Sequence, residues 1–254
     1  MKFGFYWLVF SGIILVRYFL VAGGTYLFFY SLGNQFLIKH KPLLQLPLVS
    51  WKLIKHDIQL SLIATAILAF CAASVMLGYD SGVTRLYTSW NQYGLWYLGI
   101  SFIGILILQD TCFYFIHRLF HHPLLFKHLH CGHHYSTKPT PWTSFALDPP
   151  EAFVQGLFLI VVVFIVPLHF MVLASLLLTM TFWAVVNHLG FELFDSFLAR
   201  HWLGKWFIGS TYHSIHHRKY TVHYGLYFTF WDRLLDTYDS DYEKVGLSLS
   251  RSPR

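Results

Sequence analysis

A chain of 254 residues with 56% hydrophobic, 20% aromatic and only 12% charged side chains is built for a bilayer, since a soluble domain of this length carries about 25% charged residues. The formal net charge of +6 does not signal nucleic acid, because the basic residues form no dense patch with stacking aromatics and sit in particular loops instead. The three cysteines Cys71, Cys112 and Cys131 are odd in number and two lie inside apolar runs, so buried apolar thiols are expected rather than a disulfide framework.

A membrane span needs roughly 20 apolar residues. The first run, about Phe3 to Leu32, is interrupted only by Arg17. It extends far past signal-peptide length with no small-residue cleavage site, and reads as a retained span, tilted or bent near Gly23-Gly24. Further runs lie at about Ile58 to Gly78, Tyr93 to Ile116, Phe153 to Val166 and Phe170 to Leu189. The last two are separated only by Pro167, Leu168 and His169, which predicts a tight helical hairpin with a short first arm. No linker, repeat or low-complexity run divides the chain. The expected organisation is an N-terminal transmembrane region (1–92), a catalytic region of spans plus cap (93–240) and a tail (241–254).

Lysine and arginine alternate between loops. The first loop holds Lys39, Lys41, Lys52 and Lys55, the second only Arg85, the third Arg118, Lys127 and Lys138. The Pro167 turn holds none, and the C-terminal segment holds Arg200, Lys205, Arg218 and Lys219. About five spans, with the N-terminus outside and the C-terminus in the cytoplasm, satisfy the positive-inside rule at every loop. The short loops favour a bacterial inner membrane over the endoplasmic reticulum, and the terminal "RSPR" carries no retention signal.

That topology brings the histidine-rich stretches to one face. On a helix, residues i, i+3 and i+4 are neighbours. His117 and His121 are spaced i, i+4, while His130, His133, His134 and again His213, His216, His217 are spaced i, i+3, i+4. Each cluster is expected to aim its imidazoles in one direction. Neutral imidazole ligates iron, zinc, copper and nickel, and these eight exceed what one tetrahedral zinc uses. They suit two adjacent ions, with His188 as a ninth ligand. His40, His56, His169 and His201 stand alone and read as interfacial or structural; His122 and His128 lie beside the clusters but point off their faces. Asp110, a carboxylate inside an apolar run, is costly there and usually functional. It shares a face with His117 and His121 and is expected to orient an imidazole. Glu192, four residues after His188, is a candidate for the same task, as are Asp148 and Glu151.

"DTCFYFIHRLFH", "HLHCGHH", "NHLGFE", "HSIHHRKYTVHYG" and "FTFWDRLLDTY" together resemble, in order and spacing over about residues 95 to 240, the fatty acid hydroxylase/sterol desaturase superfamily; residues 1 to 90 match it only in being hydrophobic. The resemblance implies an all-α integral membrane bundle with a helical cap and a histidine-ligated diiron centre. Such a protein uses O2 to oxidise an unactivated C–H bond of a lipid, by hydroxylation, desaturation, sterol methyl oxidation or alkylglycerol ether cleavage. It implies His117, His121, His130, His133, His134, His188, His213, His216 and His217 as ligands of two iron ions, with zinc the expected substitute in overproduced protein. Where the family often has Asn-Tyr-Gly, this chain has His223-Tyr224-Gly225, so His223 is expected near the metals as a tenth ligand or catalytic group, beside Asp110. Phe113, Trp142, Phe145 and Phe228 are expected to line a lipid channel.

Electrons must come from a separate reductase or small redox carrier on the cytoplasmic face, because no GxGxxG, CxxCH or cysteine-rich iron–sulfur motif is present. A b-type cytochrome would place axial histidines within spans. A zinc-dependent lipid hydrolase would need a carboxylate ligand or base such as HExxH provides. A divalent-metal transporter would place its ligands near mid-bilayer on broken helices.

Overall fold

The computed structural model describes residues 1–32, 49–193, 201–239 and 242. Among the described residues four helices are long and apolar enough to cross a membrane: α1 (Lys2–Ser31), α2 (Trp51–Asp80), α3 (Leu95–Phe120) and α6 (Phe170–Asn187). Between α3 and α6 lie α4 (Pro123–Leu129) and α5 (Pro149–Ile165). After α6 come α7 (Ser210–Lys219) and α8 (Phe230–Leu234). The fifth apolar run is thus the 17-residue α5, which at 1.5 Å per residue spans about 25 Å, short of a full hydrocarbon core. His40 and the loop lysines 39 and 41, together with Arg200 and the tail apart from Tyr242, lie outside the described residues.

Local sequence explains where the helices start. Pro149 and Pro150 open α5 at positions whose amides need no partner. The Ser50 hydroxyl accepts the Leu53 amide at the start of α2, and the His169 ring accepts the Met171 amide at the start of α6. α1 does not break at its two glycines. It runs on through two π-helical stretches, Phe19–Gly23 and Leu27–Leu32, with Gly24 in ordinary helical geometry (φ −62°). Gly23 is there for proximity: a Cβ on it would lie 2.8 Å from the indole of Trp142.

Lipid gives helices no hydrophobic reason to associate, so small residues that allow close packing carry the interfaces. The buried residues of α2 include Ser61, Ala64, Thr65, Ala69, Ala73 and Gly78. Gly156 of α5 presses on Cys71 so closely that a Cβ would sit 2.5 Å from its sulfur. Of the cysteines, Cys71 is buried as expected, whereas Cys112 is half-buried and Cys131 exposed, on the short segment leading to His133. Val75, Ile105, Val162, Val163, Val172 and Leu176 form an apolar core in one half of the bundle. Ile14, Tyr18, Ala22, Ala69, Phe145 and Val185 form another.

The charge-poor loops meet at one end. Lys2 donates to Asp80 at 3.1 Å, and the loop after α2 pairs with the α5–α6 turn as two short parallel strands, β1 (Leu86–Tyr87) and β2 (Leu168–His169). The opposite end carries the cap, made from α4, α7, α8 and two 3₁₀ turns, His133–Tyr135 and Pro141–Phe145. Tyr30, late in α1, ties into the cap end by donating to the Leu189 carbonyl at 2.7 Å.

Candidate metal centre

Five elements converge beneath the cap. α3 ends in His117 and His121; α4 ends at His130, which closes it. The 3₁₀ turn brings His133 and His134, the end of α6 brings His188, and α7 brings His213, His216 and His217. The nine ring nitrogens fall into two sets, each with its ligand atoms within 4.8 Å of one another. One set is His117, His121, His130, His134 and His216; the other is His133, His188, His213 and His217. The clusters therefore do not each point one way. "HLHCGHH" is not a continuous helix: α4 stops at His130 and the chain tightens into a 3₁₀ turn. In both HxxHH motifs the i and i+4 residues enter one set and the i+3 residue enters the other.

The tautomers are set by what each Nδ1–H reaches. His117 donates to the Tyr224 carbonyl (2.9 Å), His133 to Ala146 (3.0 Å), His188 to Ala184 (2.6 Å) and His216 to Val222 (2.7 Å). His130 is paired through Nδ1 with the Glu151 carboxylate at 2.8 Å. With those protons spent, the Nε2 lone pairs of His117 and His130 face each other at 3.0 Å, and those of His133 and His188 at 3.4 Å. Two acceptors aimed at one point repel unless a cation lies between or beside them. The Nε2 atoms of His134 and His216, of His188 and His213, and of His213 and His217 also approach to 3.1 Å, while the Nδ1 atoms of His134, His213 and His217 have no partner. The donor set therefore fits metal ions, and fits poorly as a hydrogen-bonded cluster. Burial holds the imidazoles of His130, His134, His213, His216 and His217 well below the ordinary histidine range, and that of His188 down to about 3. They stay neutral, which is the form that binds metal.

Asp110 does not touch an imidazole. Its Oδ1 accepts the backbone amides of Leu226, Tyr227 and Phe228 at 3.3, 2.7 and 3.1 Å. Asp232, fully buried, does the same for Tyr224 and Gly225 (2.8 and 2.9 Å) and also takes the Thr237 hydroxyl. Together they fix the loop whose carbonyls, Val222 and Tyr224, orient His216 and His117. The direct carboxylate contact belongs to Glu151. Asp148 instead accepts the His133 amide (3.1 Å), and Glu192 the Thr211 amide (3.1 Å) in the first turn of α7. Asp57 escaped the sequence reading. Buried in α2, it takes the Ser136 and Thr143 hydroxyls, each at 2.7 Å, and pins the segment that follows His133. Its signal was a carboxylate at the mouth of an apolar run.

His223 is placed outside both sets. Its Nδ1–H donates to the Tyr212 carbonyl at 2.9 Å, its Nε2 accepts the Asp239 amide at 2.9 Å, and its ring stacks on Tyr212 with centroids 3.6 Å apart. With both nitrogens occupied it has no lone pair to offer a metal. Its backbone gives the reason for the position: φ is +63°, a left-handed conformation that Asn adopts readily and most residues do not. The Asn-to-His exchange here concerns backbone shape. Among the isolated histidines, His169 donates to the Thr88 carbonyl and caps α6, His122 accepts the Leu124 amide, and His128 is exposed on α4.

A cavity of about 350 Å³ runs from His117, His130, His133, His188 and His213 into the bundle between α1, α2, α5 and α6. Phe113 and Phe145 line it. Trp142 and Phe228 do not: the first packs on Tyr18, the second on Phe207.

The fatty acid hydroxylase family model matches residues 102–237. The chain is 34% identical over 179 residues to one Delta(7)-sterol 5(6)-desaturase of Gibberella zeae, covering 70% of this chain and 54% of that protein. It is 32% identical over 229 residues to a second from the same organism, covering 88% and 60%. With the lathosterol oxidase of Homo sapiens it shares 31% identity over 221 residues, covering 86% and 69%. It thus spans little more than half the length of the two fungal enzymes. No solved structure matches the chain.

Proposed function

Because the chain belongs to the fatty acid hydroxylase family, we propose that it is a membrane-bound oxygenase that uses O2 and external electrons to hydroxylate or desaturate a C–H bond of a lipid. The observation that carries this reading is the pair of histidine sets closing the inner end of a greasy cavity. His117, His121, His130, His134 and His216 would hold one iron ion, and His133, His188, His213 and His217 the other. Iron held there supplies O2 activation and the oxidising power to remove hydrogen from an unactivated carbon.

The chain's own residues do the rest. Glu151 keeps His130 turned toward its set and raises the donor strength of that imidazole. The carbonyls of Tyr224, Val222, Ala146 and Ala184 hold four more rings with Nε2 inward. Asp110 and Asp232 stiffen the loop behind two of those carbonyls. The apolar wall admits a hydrocarbon without passage through water and keeps water from the reacting carbon. The relatives, sterol desaturases and a lathosterol oxidase, favour a sterol over an acyl chain, and removal of two hydrogens over insertion of oxygen.

The lysine and arginine asymmetry supports a cytoplasmic cap, where basic residues such as Lys127 and Lys205 suit an acidic redox carrier, and the short loops favour a bacterial inner membrane. The catalytic region is residues 93–240, with α1 and α2 supplying cavity wall. Among the described residues neither histidine set contains a carboxylate, which speaks against a zinc-dependent lipid hydrolase. Grouping of the ligands at one end of the bundle speaks against a metal transporter. Lipid extracts of cells making the protein or its His133→Ala form test the reading. A lipid gaining one double bond or hydroxyl only with the unaltered protein supports it; identical extracts under a matched electron supply refute it.

A further inference from the structure

We propose that Arg17 is the polar anchor of the lipid: its guanidinium takes an oxygen acceptor on the substrate at the lateral mouth of the cavity. The proposal rests on the lipid-oxygenase reading above. Arg17 is the one charged residue in the α1 run between Phe3 and Leu32, and it lies outside the residues that the family model matches. A charge in a span is costly and normally functional. A merely tolerated arginine would extend its stem toward water. Arg17 turns inward instead. Its Nε is buried without a hydrogen-bond partner, its guanidinium carbon stands 5.5 Å from the centre of the Phe145 ring, and it lines the cavity.

Most other polar groups in that wall are engaged, and the unpartnered Oδ1 of Asn187 is itself an acceptor that cannot bind an acceptor on the lipid. Ser144 donates to Pro141, Thr181 to Leu177, and Gln155 to Glu151. No ion pair or hydrogen bond to Arg17 occurs among the described residues. Its guanidinium has five N–H donors, no acceptor and no neutral form at any ordinary pH. What satisfies it is an oxygen acceptor: a hydroxyl, an ester carbonyl or a carboxylate. The Phe145 ring attracts the charge through its face and takes none of the N–H donors from an oxygen acceptor.

Two placements give the anchor a consequence. Arg17 also borders the outward-facing groove along Leu8, Gly12 and Val16, so it stands where the bilayer meets the cavity. Phe145 is followed directly by Ala146, the carbonyl that orients His133. The anchor therefore packs on the segment that carries this carbonyl.

Equilibrium binding of labelled lipid pairs to the full chain in nanodiscs tests this. The probes are cholestanol against cholestane and hexadecanol against hexadecane. The unaltered protein is expected to bind the oxygenated member of at least one pair about tenfold more tightly or better. Which pair shows the preference separates a sterol from an acyl lipid. Arg17→Met is expected to erase the preference with hydrocarbon affinity and metal content unchanged, and Arg17→Lys to retain part of it. No preference in the unaltered protein overturns the proposal, as does a preference kept in Arg17→Met or an equal loss for both members. If Arg17→Met does not fold, the unaltered protein's preference and its weakening in Arg17→Lys decide. Failure to bind any of the four probes would sink the lipid reading itself, whereas binding without preference would sink only the role of Arg17.

Discussion

The two histidine sets are built from the same motifs in opposite roles. The first HxxHH gives its i, i+4 pair, His130 and His134, to the five-membered set and sends His133 across. The second gives its pair, His213 and His217, to the four-membered set and sends His216 back. On a helix the i+3 and i+4 side chains diverge by about 100°, which parts His216 from His217 in α7, whereas the first motif reaches the same division through the stop of α4 at His130 and the 3₁₀ turn after it. The sets differ in support. The larger one contains the only imidazole in either set paired with a buried carboxylate, His130 with Glu151. Otherwise the two are alike: backbone carbonyls hold two rings in each, His117 and His216 in the larger and His133 and His188 in the smaller, and each has two rings with a buried unpartnered nitrogen, His121 and His134 against His213 and His217. The five-histidine set should hold its ion harder, and the four-histidine set should leave its ion more open positions.

The comparison breaks most completely at His133, the residue that the first motif lends to the other set. His133→Ala is expected to abolish turnover and bring the metal content of folded protein below two ions per chain. Two ions with turnover retained, by elemental analysis and lipid assay, would remove His133 from the site. Glu151→Gln sharpens the contrast. Loss of a carboxylate behind a ligand weakens metal binding by about 10–100-fold, and chelator competition should show this for one ion and not the other. Equal loosening of both would erase the asymmetry.

Asp110→Asn comes next. It trades a charged acceptor of three amides for a neutral one, at a cost of about 1–3 kcal/mol in stability, with both ions kept. Stability unchanged on denaturant unfolding would mean that the loop is held by Asp232 alone.

His223→Asn has the smallest expected effect at neutral pH. Asn suits the left-handed backbone and both ions should remain. The difference lies in acid. Burial holds the His223 ring down to about 4, against 6.5 when free. Its folded form is neutral, so the unfolded chain takes up the proton first as pH falls. Its share of stability is complete above 6.5 and is lost on the way down to about 4, at up to about 1.4 kcal/mol per pH unit. The Asn form lacks that one-proton slope. Equal pH slopes in paired unfolding curves would contradict the buried neutral ring.

The spans were legible because a bilayer imposes a length of apolar sequence, and the histidine clusters because their spacing is visible along the chain. Their division into sets was not, because in the first motif it follows α4 stopping at His130, a backbone event that spacing does not report, and in the second it takes the neighbouring elements to show which ring joins which set. Asp110 stood out as a carboxylate in an apolar run, but its partners are not the expected imidazole: the loop amides it holds lie 116 to 118 residues away. Glu151 and Asp57 act on the site across similar gaps, 21 residues to His130 and 79 to Ser136. His223 misled for a different reason: in a histidine-rich stretch, a residue chosen for its φ angle looks like one more ligand.

Neither set is complete without α7. His216 belongs to one, His213 and His217 to the other, and all three are made about 100 residues after His117. At ordinary rates of synthesis the ribosome needs roughly 5–20 s to cover that interval. Throughout it the earlier histidines stand at the membrane surface with no finished socket for either ion. Neither set can therefore close around an ion until α7 is made and in place, and a truncation just before α7 is expected to disable both sets at once, however well its spans insert.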